Sequence, residues 1–241
     1  MARKAARRKA PRSSSRKAAA PQRPAPANTR EAIVGAFMEL LTEKRFEEIG
    51  LADVAERAGI SLAELRGEFN STLGIVAAHV KQIDQAVLAG SEDMADEDMA
   101  DEPARDRLFD VLMRRLEAMA PDRAALRSLM RSAMFNPGLA FALNAMAVRS
   151  QQWMLTAAGI PCAGPGGMIR AQGLALLFAR VLRTFVDDDE DNSRTMAALD
   201  RALSSGERCV MFLDRLCNLA PRPERRRRRR RDYEDEAGEA A

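Results

Sequence analysis

LADVAERAGISLAELRGEF, residues 51 to 69, decides the fold. Leu51, Val54, Ala55 and Ala58 recur at helical spacing, and Gly59 stands where a helix ends by turning left-handed. Ser61 can then cap a second short helix that buries Leu62, Leu65 and Phe69. Two short helices joined by a tight turn make a helix-turn-helix. Upstream, Asn28-Thr29-Arg30-Glu31 has capping-box spacing, and the helix it opens puts Ile33, Val34, Phe37, Leu40 and Leu41 on one face, a buttress for the pair. Downstream, Asn70 or Ser71 can cap a longer helix carrying Leu73, Val76, Val80, Ile83 and Val87.

Composition extends this helical reading to the rest of the 241 residues. Ala, Leu, Met, Arg and Glu abound and alternating β-branched runs are nearly absent, which predicts an all-α protein. One helix from about Pro103 to Met119 presents Leu108, Phe109, Leu112 and Leu116. Pro121 opens the next, and Asn136-Pro137 starts a third that runs to Gly159. A Gly/Pro loop to Gly167 precedes a helix from Met168 to Val186, apolar nearly all round and so expected to be buried on most faces. Asp187 to Asp191 read as a solvated acidic turn, and a last helix begins near Ser193.

The net charge of +3 conceals a partition. Residues 1 to 30 carry ten Lys/Arg and no acid, residues 222 to 241 carry eight Arg against six acids, and residues 31 to 221 are left with −9. Residues 1–27 have no apolar periodicity and read as a disordered basic arm, whose cations would add sequence-independent affinity for phosphate. The expected organisation is a helix-turn-helix domain over 28–72, a connecting helix over 73–90 and an acidic linker over 91–102. A helical ligand-binding and dimerisation domain follows over 103–218, and a disordered tail over 219–241 with seven consecutive arginines, Arg225 to Arg231. That tail can meet nucleic acid or anionic lipid, or pair with its own neighbouring acids.

Catalysis finds little to stand on. The single histidine, His79, lies inside a helical pattern, where a packed or surface role is expected, and no Gly-rich phosphate loop follows a strand. Cys162, Cys209 and Cys217 have no metal-ligand spacing, so no metal, cofactor or catalytic residue is assigned. Ile169 to Val186 is interrupted by Arg170, Gln172, Arg180 and Arg183, so no integral membrane segment is expected. The amino terminus lacks the apolar core of a secretory signal, and a cytoplasmic location is expected.

The helix-turn-helix resembles that of the TetR family of transcriptional regulators on Phe37, Leu40, Leu41, Phe46, Asp53, Val54, Ala55, Ala58, Gly59, Ile60, Ser61, Leu65 and Phe69. The resemblance implies a homodimer bound to double-stranded DNA, whose last two helices pair with their copies. It assigns DNA contact to Ser61, Leu62, Ala63, Glu64, Arg66, Gly67, Asn70 and Thr72. It also implies a ligand cavity in the larger domain. Flexible thioethers and aromatics suit an adaptable apolar pocket, and Met113, Met130, Met134, Phe141, Trp153 and Phe178 are the candidates to line it around a small apolar or lipid ligand. For each of them an ordinary core position is the competing reading.

The sequence departs from the family's pattern where DNA would be read. Glu64, Arg66 and Glu68 replace the usual Thr, Tyr and His/Tyr, Thr72 replaces a Lys, and residues 31 to 90 hold five Lys/Arg against ten Asp/Glu. A second resemblance answers to this. Ala120 to about Leu203, with Trp153, Ala157-Ala158-Gly159, Phe185 to Asp189, and Thr195 through Leu199-Asp200-Arg201, is similar to the carboxyl-terminal domain of the TetR-like lipid-binding accessory family of ubiquinone biosynthesis. That likeness implies an apolar pocket and no DNA contact. The two readings agree on the fold and divide on α-helix 62–69.

Overall fold

The computed structural model describes residues 29–92, 102–189 and 191–219, with the side chains of the last helix described as far as Gly206. The basic arm, most of the acidic linker and the Arg-rich tail lie outside the described residues. Every regular element among the described residues is helical: α1 (Thr29–Glu43), α2 (Leu51–Ala58), α3 (Leu62–Glu68), α4 (Thr72–Glu92), α5 (Ala104–Met119), α6 (Arg123–Phe135), α7 (Pro137–Ala157), α8 (Gly164–Phe185) and α9 (Ser193–Leu219). Short 3-10 turns precede α2 (Phe46–Glu48) and α6 (Ala120–Asp122).

Two apolar cores result. The first gathers Ile33, Phe37 and Leu41 of α1, Val54 and Ala55 of α2, Leu65 and Phe69 around α3, and Ile75 and Val76 of α4. Phe46 stands edge-on to Phe37 with ring centroids 6.2 Å apart. The later helices complete this core. Ala125, Leu129 and Leu139 belong to it, the Ser132 hydroxyl accepts from the Phe46 backbone N–H at 3.2 Å, and Ser128 Oγ donates to the Lys44 carbonyl at 3.2 Å. Ion pairs tie its outer edge: Arg57 on α2 donates to Glu43 of α1 at 3.0 and 2.7 Å, and Lys44 meets Asp53 at 3.3 Å.

The second core packs Leu112 and Leu116 of α5, Met154 of α7, Phe178 and Phe185 of α8 and Leu199 of α9. Helix α4 enters both cores, with Ile75 and Val76 in the first and Ile83 and Val87 in the second. A buried polar link sits on its second half: Asp84 pairs with Arg115 of α5 and accepts from Ser150 Oγ of α7 at 2.7 Å. Arg115 also lies over the Phe178 ring at 5.6 Å. Burying these charges is tolerable because each has a partner.

Four sequence expectations need correction. Helix α8 begins at Gly164, before the expected Met168, because Pro165 fits a first turn and Gly167 lies where an added Cβ would fall 1.9 Å from the Cys162 carbonyl oxygen. Nor is α8 buried on most faces, since Ile169 and Leu176 are 64% and 60% exposed. Leu62 is 56% exposed, because the first turn of α3 projects beyond the core that Leu65 and Phe69 fill. Asp188 is not solvated. It accepts from the Thr195 N–H and hydroxyl, both at 2.7 Å, and from Arg194 at 2.8 Å. Burial would raise its carboxyl, but these donors outweigh burial and hold it well below the carboxylate range.

Candidate nucleic-acid interface

Helix α2 ends on Gly59 at φ 69°, a left-handed turn that favours glycine, and the chain reverses into α3. Ser61 opens α3 with a reciprocal capping box: its hydroxyl accepts from the Glu64 N–H at 3.2 Å, and the Glu64 carboxylate accepts from the Ser61 N–H at 2.8 Å. The Ser61 backbone donor first, and then its hydroxyl, hold the Glu64 carboxyl below its ordinary range. Glu64 is therefore a cap, its charge turned back on the helix start.

Glu68 stays exposed but has a partner of its own. Arg30 reaches across from α1, donating to the Glu68 carbonyl at 3.2 Å, standing 3.5 Å from its carboxylate and lying 4.3 Å over the Phe69 ring. Both carboxylates that departed from the family's pattern have internal partners. The remaining outward surface is Leu62, Ala63, Arg66, Gly67 and Asn70, all exposed. Arg66 donates to Asn70 Oδ1 at 2.5 Å, one helical turn on, which holds its guanidinium on the outer face. An added Cβ at Gly67 would meet nothing within 4 Å, so a second surface can approach the backbone there. Thr72 opens α4, where the Ser71 hydroxyl accepts from the Gly74 N–H at 3.1 Å.

The structure brings the candidate DNA-contact residues onto one surface and disperses the candidate ligand residues. Met113 and Met130 are partly buried against the second core and Phe178 is inside it. Met134 and Phe141 are 71% and 77% exposed. Trp153 lines a cleft of about 380 Å³ between α4 and α7, with Leu88 and Met146. Sequence reasoning missed the Asp84–Arg115 pair, although its signal was present. Asp84 falls between Val80 and Val87 on one helical face, and Arg115 falls between Leu112 and Met119, so a charge inside each apolar stripe announced a buried partner. It missed Arg30 as the partner of Glu68 because nothing local links residues 38 apart.

Among the described residues no group of His, Cys, Asp and Glu is placed to hold a metal ion, and no helix is long and apolar enough to cross a membrane. No protein-family model and no curated relative matches the sequence. Solved structures do match. A TetR transcriptional regulator from Nitrosomonas europaea ATCC 19718 is 24% identical, with a TM-score of 0.57 over 75% of this chain and 98% of its own. A TetR transcriptional regulator from Rhodococcus sp. RHA1 is 23% identical, with a TM-score of 0.54 over 74% and 95%. The chain has the TetR fold.

Proposed function

We propose that this chain is a DNA-binding transcriptional regulator, a repressor that acts as a homodimer and is released from its operator by a small apolar ligand. One observation carries the reading: within a TetR fold, α3 has both of its carboxylates engaged internally and keeps Arg66, Gly67 and Asn70 outward. A guanidinium at that position suits the acceptor edge of guanine or a phosphate oxygen. In a two-fold dimer, two copies of α3 would enter successive major grooves roughly 34–36 Å apart.

The dimer is supported by α8, where Ile169, Gly173 and Leu176 form an exposed stripe, and by Met196 of α9, which is exposed as well. Apolar side chains in that pattern are a liability on a lone chain and suit a self-complementary bundle, with glycine permitting close approach. Ligand release is supported by the cleft at Trp153, which α4 walls with Lys81, Asp84 and Leu88 before running back to the helix-turn-helix. The ten cations of residues 1 to 30 offset the acidic helix-turn-helix by adding phosphate affinity without sequence information.

Selection of random duplexes at near-physiological salt, with wild type and Arg66→Ala in parallel, tests the reading. Enrichment of a discrete near-palindrome that Arg66→Ala loses is expected. No enrichment, together with isoprenoid or acyl lipid co-purifying in native mass spectrometry, would instead identify a lipid-binding accessory protein. Removing residues 1 to 27 should weaken binding to every duplex alike and flatten its dependence on salt; unchanged binding would deny the arm this role.

A further inference from the structure

The cleft at Trp153 holds charge as well as apolar surface, and the packing of α4 on α7 decides where. The Ser150 hydroxyl donates to Asp84 at 2.7 Å, which fixes how the two helices lie side by side. Met146 packs on the first core with Val76, and Met154 lies in the second with Val87, so the helices run in the same direction. At that register Lys81 of α4 and Arg149 of α7 stand on the two walls, each within about one helical turn of the Asp84–Ser150 contact. Trp153 and Leu88 stand together about a turn beyond that contact, and Val80 and Met146 line the other end.

The two cations are unanswered. Lys81 and Arg149 are exposed, and among the described residues neither has an acidic partner. Other basic side chains of the described surface are paired: Arg57 with Glu43, Arg105 with Asp200 and Arg194 with Asp188. Asp84 is the acid in the cleft wall, and its charge is already met by the buried Arg115 and by the Ser150 hydroxyl. Beside the cations, Trp153 is 57% exposed. An uncovered indole next to two unpaired cations suits an occupant with an apolar body and one anionic end.

We propose that this cleft binds a short-chain amphiphilic carboxylate, whose carboxylate accepts from Lys81 and Arg149 while its chain lies over Trp153 and Leu88. The arginine can present two parallel N–H groups to the carboxylate, and the lysine adds a point charge from the facing helix. An amine is repelled by both cations, and an alcohol leaves them unanswered. A volume of about 380 Å³ stands at the lower end for small-molecule sites, which suits a short chain. One carboxylate then ties α4 to α7. Because Ile75 and Val76 of the same α4 lie in the core beneath α3, occupancy biases how the helix-turn-helix module is held. The proposal names the ligand class of the cleft in the regulator reading above, and rests on that reading for its effect on operator affinity.

Trp153 is the only tryptophan in the chain, so its fluorescence reports on the cleft without ambiguity. The full chain is titrated with octanoate, n-octanol and n-octylamine, each below the concentration at which it aggregates, while that emission is followed. Saturable binding of octanoate, roughly tenfold or more tighter than that of the alcohol or the amine, is expected. Arg149→Glu should weaken octanoate binding by roughly tenfold or more, and Arg149→Glu combined with Lys81→Glu should turn the preference to octylamine. Both side chains are exposed, so melting should be unchanged; should either variant melt early, Arg149→Gln decides by the same loss of octanoate binding. Octanol binding as tightly as octanoate would overturn the carboxylate site and leave the apolar ligand of the regulator reading. No saturable change with octanoate, or octanoate binding indifferent to Arg149→Glu, would also overturn it. A selected duplex then tests the coupling: octanoate that binds without altering duplex affinity refutes the regulatory role and leaves the site standing. Failure to find any duplex falls on the regulator reading alone.

Discussion

The two apolar cores differ in what they leave outside. The first buries Ile33, Phe37, Leu41, Val54 and Leu65 almost completely, and Arg30, Lys44 and Arg57 pair with acids across its seams. The second buries Leu112, Leu116, Met154 and Phe185 as thoroughly but leaves Ile169, Leu176 and Met196 in solvent on α8 and α9. The first is a finished unit whose seams are closed by ion pairs, with Leu62 its exposed large apolar side chain on α3. The second leaves an apolar stripe uncovered, and the proposed dimer would cover it with a second copy of the same stripe. Stability and assembly are therefore separable in this molecule, and substitutions should divide accordingly.

The largest effect should come from emptying the finished core. Phe37→Ala removes a ring with no exposed surface and should cost about 3–5 kcal/mol in chemical denaturation, enough to unfold a marginal domain. Leu176→Glu, on the open stripe, should leave the monomer's helicity and melting cooperativity intact and abolish the dimer in sedimentation equilibrium; a dimer that persists would move the interface elsewhere. Ser61→Ala removes one half of the α3 capping box and should cost about 0.5–2 kcal/mol while freeing the Glu64 carboxylate toward the reading face, so duplex affinity should fall further than stability.

Acidification should produce the smallest change, and its sign follows from burial. The folded chain holds the His79 pKa below 6.5, so the unfolded chain takes up the proton first. The contribution is complete above about pH 6.5 and is lost as pH falls through the folded value. A His79→Gln variant should show a shallower decline between pH 7 and 5 than wild type. Below the ordinary Asp range a second loss is expected, since Asp188 must be protonated against the donors of Thr195 and Arg194.

Much of the fold was legible because its signals are local. Gly59 and Ser61 declare one helix end and the next start, and the stripe Ile33, Phe37, Leu40, Leu41 declares a covered face. The start of α8 was missed because Gly164, Pro165, Gly166 and Gly167 read as loop residues, whereas proline and small residues are admissible in a first turn packed against Cys162. The exposure of Ile169 and Leu176 was illegible for a different reason: periodicity reports that a face is apolar, and only the packed chain reports which apolar face lacks a neighbour. At the candidate interface the sequence gives the positions, but not the partners of their charges. Glu64 and Glu68 look like groups that repel phosphate until the Ser61 cap and Arg30 take up their carboxylates. The meeting of Lys81 and Arg149 at the Trp153 cleft was beyond reach, since one wall comes from α4 and the other from α7.

Footprinting of the selected duplex, with wild type and Leu176→Glu at equal chain concentration, tests most directly that a finished reading head depends on an unfinished dimer face. Wild type should protect two half-sites centred about 10–10.5 base pairs, or a multiple, apart, and Leu176→Glu should protect neither at that concentration. A wild-type footprint confined to one half-site, or a footprint that Leu176→Glu leaves unchanged, would contradict the account.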